Sequence, residues 1–551
     1  MRIVWLDLNC SYAHSSLALP ALHAQVAHRT DVEWEVVRTT TGKAVGTAVE
    51  AVYACRPDVV AATAWLFTHE HLLHIVARVK ALMPQTTVIL GGPEFLGDNE
   101  SYLRQHDEVD CVLRGEGEES FAQWLEVWHC RERWSEVKGL CYMHDAVYHD
   151  GGVARVMDFA ALRVPEESGL FAWGKPFVQV ETTRGCFNSC AFCVSGMGDP
   201  IRTMSLEAIR RRLDRICERG IRDVRLLDRT FNYHPQRAAE LLRLFAEYHP
   251  KLRFHLEIHP ALLPDALRRV LEEMPEGLLH LEAGIQSLRQ EVLDRSLRRG
   301  ALVQALDGLR YLCARTNLIV HADLIAGLPL YTLEQIYEDI HSLAEYRAGE
   351  IQLESLKLLP GTVMRRDAPR LGIRFSPMPP YEVLETEAIT SSELQEARRL
   401  SRLLDAYYNT EAWQGVTRKL MVEKRDFVGR FLAHLTEHNY IDQPMSLERR
   451  GELLYLFCKE HYPAYATEVA IAWIEAGMSL KKRPAEGVRT KHVEPSPTWR
   501  VVRGCYEPTM KLCFLPIDER SHGYWFGYDT TVQCARPVFR AEERLFVIYD
   551  L

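Results

Sequence analysis

Residues 182–193 read Thr-Thr-Arg-Gly-Cys-Phe-Asn-Ser-Cys-Ala-Phe-Cys, which places Cys186, Cys190 and Cys193 in a C-x3-C-x2-C run. Three thiolates at this spacing can ligate three irons of a four-iron, four-sulfur cluster. No fourth cysteine follows at similar spacing. One iron is then left free to take a small molecule, and the cluster becomes a reaction centre as well as an electron carrier. The competing readings are a zinc site completed by a histidine and three unrelated buried thiols. Zinc motifs bring their ligands in pairs, and no histidine lies inside this run or just after Cys193.

Around the run, strand and helix patterns alternate. Strand-like segments fall at residues 177–182, 223–228, 253–258, 279–285, 319–325 and 351–357. Gly220, Gly300 and Gly349 are candidate helix C-caps, and Thr332-Leu333-Glu334-Gln335 is a capping box. Six βα units predict a partial barrel over 166–380. The cysteine run follows the first strand, at the end where barrel active sites lie. Polar residues near the other strand ends are Asp228 to Asn232, Glu257, Gln286, Ser287, Asp323 and Lys357. Taken singly, these read as barrel-rim hydrogen bonders.

Residues 1–128 alternate in the same way, with strands at 3–8, 34–37, 59–64, 88–90 and 111–113. This predicts a doubly wound parallel sheet, which binds ligands at the carboxyl ends of its strands. Two glycine turns sit at those ends: Gly91-Gly92-Pro93-Glu94 and Gly115-Glu116-Gly117-Glu118. Glycine lets a backbone approach a bulky ligand closely. Residues 129–165 read as a connector, with a hairpin turn expected at His149-Asp150-Gly151-Gly152. Residues 381–476 read as helical, with a capping box at Thr390–Glu393. A charged linker with Pro484, Pro495 and Pro497 follows, then a small β-rich end around Gly523 to Tyr528, within a C-terminal region 381–551.

The bulk properties exclude little else. The chain has 551 residues, 47% of them apolar, and a net charge of −9 without a long single-sign block, so nucleic-acid binding is not indicated. No apolar run reaches the length of a membrane span, and no signal-peptide pattern opens the sequence. A cytoplasmic location is expected. The 11 cysteines outside the run, Cys505 and Cys534 among them, read as small buried hydrophobes.

The cysteine run, with Phe192 before the last cysteine, resembles the radical S-adenosylmethionine (SAM) superfamily. The two glycine turns ahead of it resemble the cobalamin-binding domain of the cobalamin-dependent members. The resemblance implies a [4Fe-4S] cluster on Cys186, Cys190 and Cys193, with SAM on its open iron. It implies SAM contacts from Phe192, Asp228, Glu257, Gln286, Ser287, Ile325 and Gly327. Cobalamin would meet Tyr12, His14, Thr63, Ala64, Trp65, Leu66, Phe67, Gly91, Gly92, Pro93, Glu94, Gly115, Glu116, Gly117 and Glu118. Asp228 stands where Gly-Gly-Glu is more usual. His14 lacks the Asp and Gly of Asp-x-His-x-x-Gly, and reads as a hydrogen-bonded loop histidine rather than a cobalt ligand.

The activity implied is methylation of an unactivated carbon. An adenosyl radical would remove a hydrogen atom and methylcobalamin would supply the methyl. The alternatives are a rearrangement or cyclisation with the same cofactors, and a non-catalytic cobalamin sensor or carrier. A methylthiotransferase would need extra cluster cysteines and an RNA-binding domain that are not evident. A flavodoxin- or ferredoxin-like protein would donate the electron.

Overall fold

Apolar strands alternating with amphipathic helices build the N-terminal half: β1 (Arg2–Asn9), α1 (Ala18–Val26), β2 (Glu33–Thr40), α2 (Val45–Cys55), β3 (Val59–Thr63), α3 (His69–Leu82), β4 (Thr87–Gly91), α4 (Glu100–Gln105), β5 (Cys111–Leu113) and α5 (Gly117–Val127). The computed structural model describes residues 1–14, 16–196, 200–485, 489–491, 510–516, 522–529, 536–537 and 539–544. The strands are ordered β2-β1-β3-β4-β5 and pair in parallel. β3 and β5 are buried throughout, as parallel strands covered on both faces must be. Val4, Leu6, Val60 and Leu90 pack on one face with residues of α2 and α3. Ile3, Trp5, Ala61 and Ile89 pack on the other with residues of α1 and α5. The strand order reverses between β1 and β3, the point at which such sheets take a ligand.

The hairpin β6 (Leu140–His144) and β7 (Val147–Asp150) extends this sheet antiparallel to β5, so the connector contributes two strands to it. The turn is not at 149–152 as the sequence suggests. The chain reverses at Asp145 and Ala146, both at positive φ (47° and 63°). Gly151 serves a packing need instead, since a Cβ there would lie 2.6 Å from the Leu140 backbone, and Gly152 takes φ +75°.

The barrel follows. β8 (Phe177–Val180) leads through the cysteine run, flanked by the short pair β9 (Thr183–Arg184) and β10 (Arg202–Thr203). Then come α6 (Leu206–Glu218), β11 (Asp223–Leu226), α7 (Pro235–Ala246), β12 (Arg253–Ile258), α8 (Asp265–Glu272), β13 (Leu279–Gln286), α9 (Gln290–Arg295), α10 (Leu302–Cys313), β14 (Ile319–Ala326), α11 (Leu333–Glu345) and β15 (Glu350–Ser355). The sheet order is β15-β14-β13-β12-β11-β8. α12 (Val363–Asp367), β16 (Arg374–Phe375) and β17 (Val383–Glu385) close this part. Gly220 takes the left-handed cap after α6. Arg347, not Gly349, has positive φ after α11, and Gly300 lies ahead of α10 rather than behind a helix. Thr332 and Gln335 form the reciprocal capping box.

Met1–Ile336 with Glu354–Leu394 form one unit, and Tyr337–Leu353 with Gln395–Leu551 the other, so the first unit runs past residue 380. The second unit holds α13 (Ser391–Leu403, which begins in the first), α14 (Glu411–Glu423), α15 (Phe427–Glu437), α16 (Leu447–His461) and α17 (Pro463–Glu475). Its core rings are Phe427, Phe431 and Phe457, with Trp413 and Trp473. Antiparallel strands β18 (Arg489–Lys491), β19 (Met510–Pro516), β20 (His522–Asp529) and β21 (Phe539–Arg544) form the expected small sheet. Pro495, Pro497, Cys505 and Cys534 lie outside the described residues. Among the described residues, no helix is long and apolar enough to cross a membrane.

One buried ion pair fastens the connector beneath the cysteine run. Arg212 of α6 is bidentate to Glu166, at 3.0 and 2.8 Å, and donates to the Glu181 carbonyl; both side chains are almost wholly buried. Removing one partner strands a charge in low dielectric. Glu166→Ala is therefore expected to lower unfolding free energy by about 3–5 kcal/mol in urea titrations. Glu166→Leu combined with Arg212→Met should recover most of that loss.

Candidate functional site

The cysteine loop is braced at each step. Gly185 takes φ +94°, and a Cβ there would meet the Pro200 carbonyl at 2.9 Å. The buried Asn188 accepts from the Arg299 N–H at 2.9 Å. Ala191 N–H donates to the Ser296 carbonyl, and the Ala191 carbonyl accepts from Met364 N–H. Cys193 N–H closes a turn onto the Cys190 carbonyl at 3.1 Å. Cys186, Cys190 and Cys193 all line one cavity of about 150 Å3 with Asn188, Phe192, Arg229, Thr230, Glu257, Glu282, Gln286, Arg298 and Asp323. Burial pushes the Cys190 thiol up, and Arg298, 3.5 Å from its sulfur, opposes that shift. A guanidinium beside a thiolate favours the ligating form. Three converging thiols beside a polar cavity fit a cluster with one open iron.

Of the proposed SAM contacts, Phe192, Glu257 and Gln286 line this cavity, and Asp228, Ser287, Ile325 and Gly327 do not. Asp228 is buried and accepts from the N–H groups and hydroxyls of Thr182 and Thr183. It pins the stem of the cysteine loop to β11. Burial raises its carboxyl, against those hydrogen bonds. Ser287 is buried and accepts from Arg289 N–H. Gly327, at φ +92°, faces Val383, Leu356 and Leu394. Glu257 is raised to about 6 by burial, with Arg229 opposing.

A second cavity, of about 140 Å3, opens at the carboxyl ends of β3, β4 and β5. Its lining is small and apolar: Ala18, Ala21, Ala61, Ala62, Gly91, Gly92, Gly115 and Gly117, with Trp5, Leu22, Thr63, Glu118 and Phe121. Gly92 sits at φ +108°, and a Cβ would lie 2.7 Å from Ala64 O. Tyr12, Trp65 and Phe67 are exposed at 81%, 43% and 60%, aromatic surface that a flat ligand would cover. A narrow, glycine-lined apolar slot at the carboxyl ends of parallel strands fits part of a cobalamin. His14 Nδ1 is 2.7 Å from the Ser11 hydroxyl and its ring edge meets Phe177, the hydrogen-bonded loop histidine the sequence suggests.

Glu94 and Glu116 of the glycine turns lie outside that slot's lining, while Glu118 lies on its wall. Glu94 is buried and accepts from the Tyr381 hydroxyl. Glu116 is bidentate to Arg202, at 2.8 and 2.7 Å, and accepts from Val156 N–H. Glu118 accepts from Arg184 at 2.6 Å, and Glu181 shares that guanidinium. Arg184 immediately precedes Gly185-Cys186. The Gly115–Glu118 turn is thereby bolted to the stem of the cysteine loop. Sequence reading missed Arg184, Arg202 and Arg298, whose partners lie on other elements; the single signal was Arg184 beside the first cysteine.

The comparisons with known proteins agree with this geometry. Residues 180–343 match the radical SAM superfamily, and residues 11–125 match the B12 binding domain. Residues 370–471 match a family described as a protein of unknown function (DUF4080). The chain belongs to the cobalamin-dependent radical SAM family. The 2-(S-pantetheinyl)-carbapenam-3-carboxylate methyltransferase of Streptantibioticus cattleyicolor is 24% identical over 376 residues, covering 63% of this chain and 54% of that one. The cobalamin-dependent radical SAM methyltransferase TokK of Streptomyces tokunonensis is 24% identical over 328 residues, covering 55% and 47%. The chain thus spans about half the length of these two relatives. Among solved structures, the cobalamin-dependent SAM radical enzyme OxsB superposes with a TM-score of 0.62 at 13% identity, over 87% of this chain and 81% of that one. The methyltransferase TsrM of Kitasatospora setae superposes at 0.56 and 17% identity, over 72% and 81%. These two likenesses show the fold.

Glu116 and Glu257 give stability opposite pH dependences. Burial would raise the Glu116 carboxyl, but its bonds to Arg202 and Val156 bring it below the usual range. Its contribution is present above the unfolded pKa and is lost as pH falls through the lowered folded value. Glu257 is raised to about 6 in the folded state, so stability declines as pH rises from the ordinary carboxyl range to that point. Melting temperatures of the apoprotein across pH 3–7 check both signs. Glu116→Gln should flatten the acid limb, and Glu257→Gln the limb above it.

Proposed function

We propose that this protein is a cobalamin-dependent radical SAM methyltransferase acting on an unactivated carbon. One observation carries the reading: a triad-lined polar cavity and a glycine-floored apolar slot, joined through Glu116–Arg202 and Glu118–Arg184. Two relatives named as methyltransferases support it. With the cofactors bound, SAM on the cluster supplies a radical that removes a hydrogen atom, and cobalamin supplies the methyl carrier. The chain's own residues do the positioning. Cys186, Cys190 and Cys193 hold the cluster, and Arg298 biases Cys190 toward thiolate. Glu257 and Gln286 offer polar contacts on the cavity wall, and Phe192 offers a ring. The Gly91–Gly92 and Gly115–Gly117 backbones hold the corrinoid edge. A flavodoxin- or ferredoxin-like donor supplies the electron. A reducing, cytoplasmic compartment suits the free thiols of Cys186, Cys190 and Cys193.

The full chain, rebuilt anaerobically with iron and sulfide, should hold about four irons. Under a strong reductant with methyl-deuterated SAM and cobalamin, it should form 5′-deoxyadenosine and place labelled methyl on the corrinoid. Cys190→Ala is expected to abolish 5′-deoxyadenosine formation. Cleavage of SAM with no labelled methyl on the corrinoid would sink the methyltransferase reading and favour a rearrangement.

A further inference from the structure

Three neighbouring barrel strands each carry a histidine and, two residues on, a carboxylate: His255 and Glu257 on β12, His280 and Glu282 on β13, His321 and Asp323 on β14. Alternate residues of a strand share a face. The parallel register sets His255 beside His280 and Glu257 beside Glu282, with β14 shifted so that His321 stands beside Glu282. All six therefore project from one side of the sheet into the barrel lumen. The His255 and His280 rings are 4.7 Å apart, and those of His280 and His321 5.9 Å apart. His255 Nε2 lies 2.9 Å from Glu282 Oε2, and His321 Nε2 lies 3.2 Å from Asp323 Oδ1.

The row spans two cavities. Glu257, Glu282 and Asp323 line the cluster cavity. His255 and His280 line a different one, of about 510 Å3, at the amino ends of the strands, with Phe177, Asp223, Arg225 and Arg253. The His255–Glu282 pair thus has one member on each cavity. Other charges facing the row include Arg225 from β11, Arg229 and Asp228 near Glu257, and Glu354 toward Asp323. Burial and the charge on Glu282 push the Asp323 carboxyl well above the usual carboxylate range. Burial would raise Glu282 too, but His255 and the hydrogen bond with Asp323 bring it below. Acid, carboxylate and imidazole thus stand in sequence.

We propose that this row moves protons between the lower mouth of the barrel and the cluster cavity, so that the reacting molecule belongs to a class bearing an ionisable O–H or N–H beside the carbon that reacts. The proposal rests on the cluster cavity being the reaction chamber. The O–H or N–H bond breaks heterolytically, and its electron pair stays on the substrate heteroatom. The proton passes to Glu282 and then to His255 Nε2, while Nδ1 releases one to water in the lower cavity. No electron moves along the row.

Two measurements test it in the full chain. In the apoprotein, ring-labelled histidine NMR should show a His255 Nε2–H resonance held by Glu282, and Glu282→Gln should move it or broaden it beyond detection. With the cluster rebuilt and SAM covering the upper cavity, infrared spectra should show a protonated carboxyl band that Asp323→Asn removes. That band should exchange into D2O at least about tenfold more slowly in His255→Phe, with imidazole restoring the rate in His255→Gly, as general acid–base relay predicts. An unmoved His255 Nε2–H resonance in Glu282→Gln, or unchanged exchange in His255→Phe, overturns the relay. Formation of 5′-deoxyadenosine is read in parallel. Its absence from the wild type would count against the assigned reaction chamber while leaving the apoprotein spectra to judge the relay.

Discussion

The ion-pair set between the Gly115–Glu118 turn and the stem of the cysteine loop is the constraint on which the rest depends. Arg184 is only 14% exposed and has Glu118 and Glu181 within hydrogen-bond distance, Glu116 at 3.7 Å, and the Phe159 ring at 4.6 Å. Arg202 has Glu116 on two oxygens. Burying five charges costs several kcal/mol per ion unless each finds partners in good geometry. Here each does, and the arginine fork fits the carboxylates bidentately. The geometry is therefore stiff: the loop carrying Cys186 cannot shift without breaking bonds to the glycine turn that floors the apolar slot. Other close approaches tie the sheet domain to the barrel elsewhere. A Cβ on Gly361 would lie 2.9 Å from the Leu96 backbone, and Lys175 donates to the Tyr12 carbonyl at 2.5 Å.

Two cavities of opposite character are held on either side of that junction. The sheet cavity is walled by alanine, glycine and aromatic surface, which suits a ligand bound by shape and burial. The barrel cavity gathers three thiols, three carboxylates and two guanidinium groups, which suits chemistry that redistributes charge. Both lie at the carboxyl ends of parallel strands, because that is where βα loops gather side chains and backbone N–H groups. The fold thus supplies two ligand-binding ends and one rigid seam between them.

What the sequence made legible was local. The cysteine spacing, the βα alternation and the two glycine turns are contiguous strings whose meaning survives without coordinates. The reversal at Asp145 and Ala146 was hidden because Gly151-Gly152 is the stronger turn signal, yet Gly151 serves the close approach to Leu140 and Gly152 a positive φ. Asp228 looked like a ligand-facing group, but its four bonds to Thr182 and Thr183 depend on β8 and β11 being neighbours. Glu116 and Glu118 belong to a recognisable string, while their arginines are many residues away and carry no pattern of their own. Side-chain partnerships across elements are decided by register and packing, and neither is written in a single stretch of chain.

The lumen row shows the same limit from the other side. Each His-x-acid triplet is unremarkable alone, and an alternating strand with one polar face reads as half-exposed. Only the parallel register turns three such strands into a continuous column. A barrel lumen is ordinarily filled with branched apolar side chains. Replacing them with imidazoles and carboxylates sacrifices apolar burial and leaves polar groups that must satisfy one another. The arrangement answers that cost in part: His255 with Glu282, and Asp323 with Glu282. Burial and the neighbouring His255 and His321 hold His280 down to about 4, so the ring stays neutral and adds no unpaired charge. Mutual satisfaction explains how the column is tolerated. It does not explain why the column joins the cluster cavity to the opposite mouth, since a structural polar core needs no member on either surface. Groups that stabilise each other and also span two cavities, with a protonated acid beside a carboxylate beside an imidazole, are arranged as a conducting chain is.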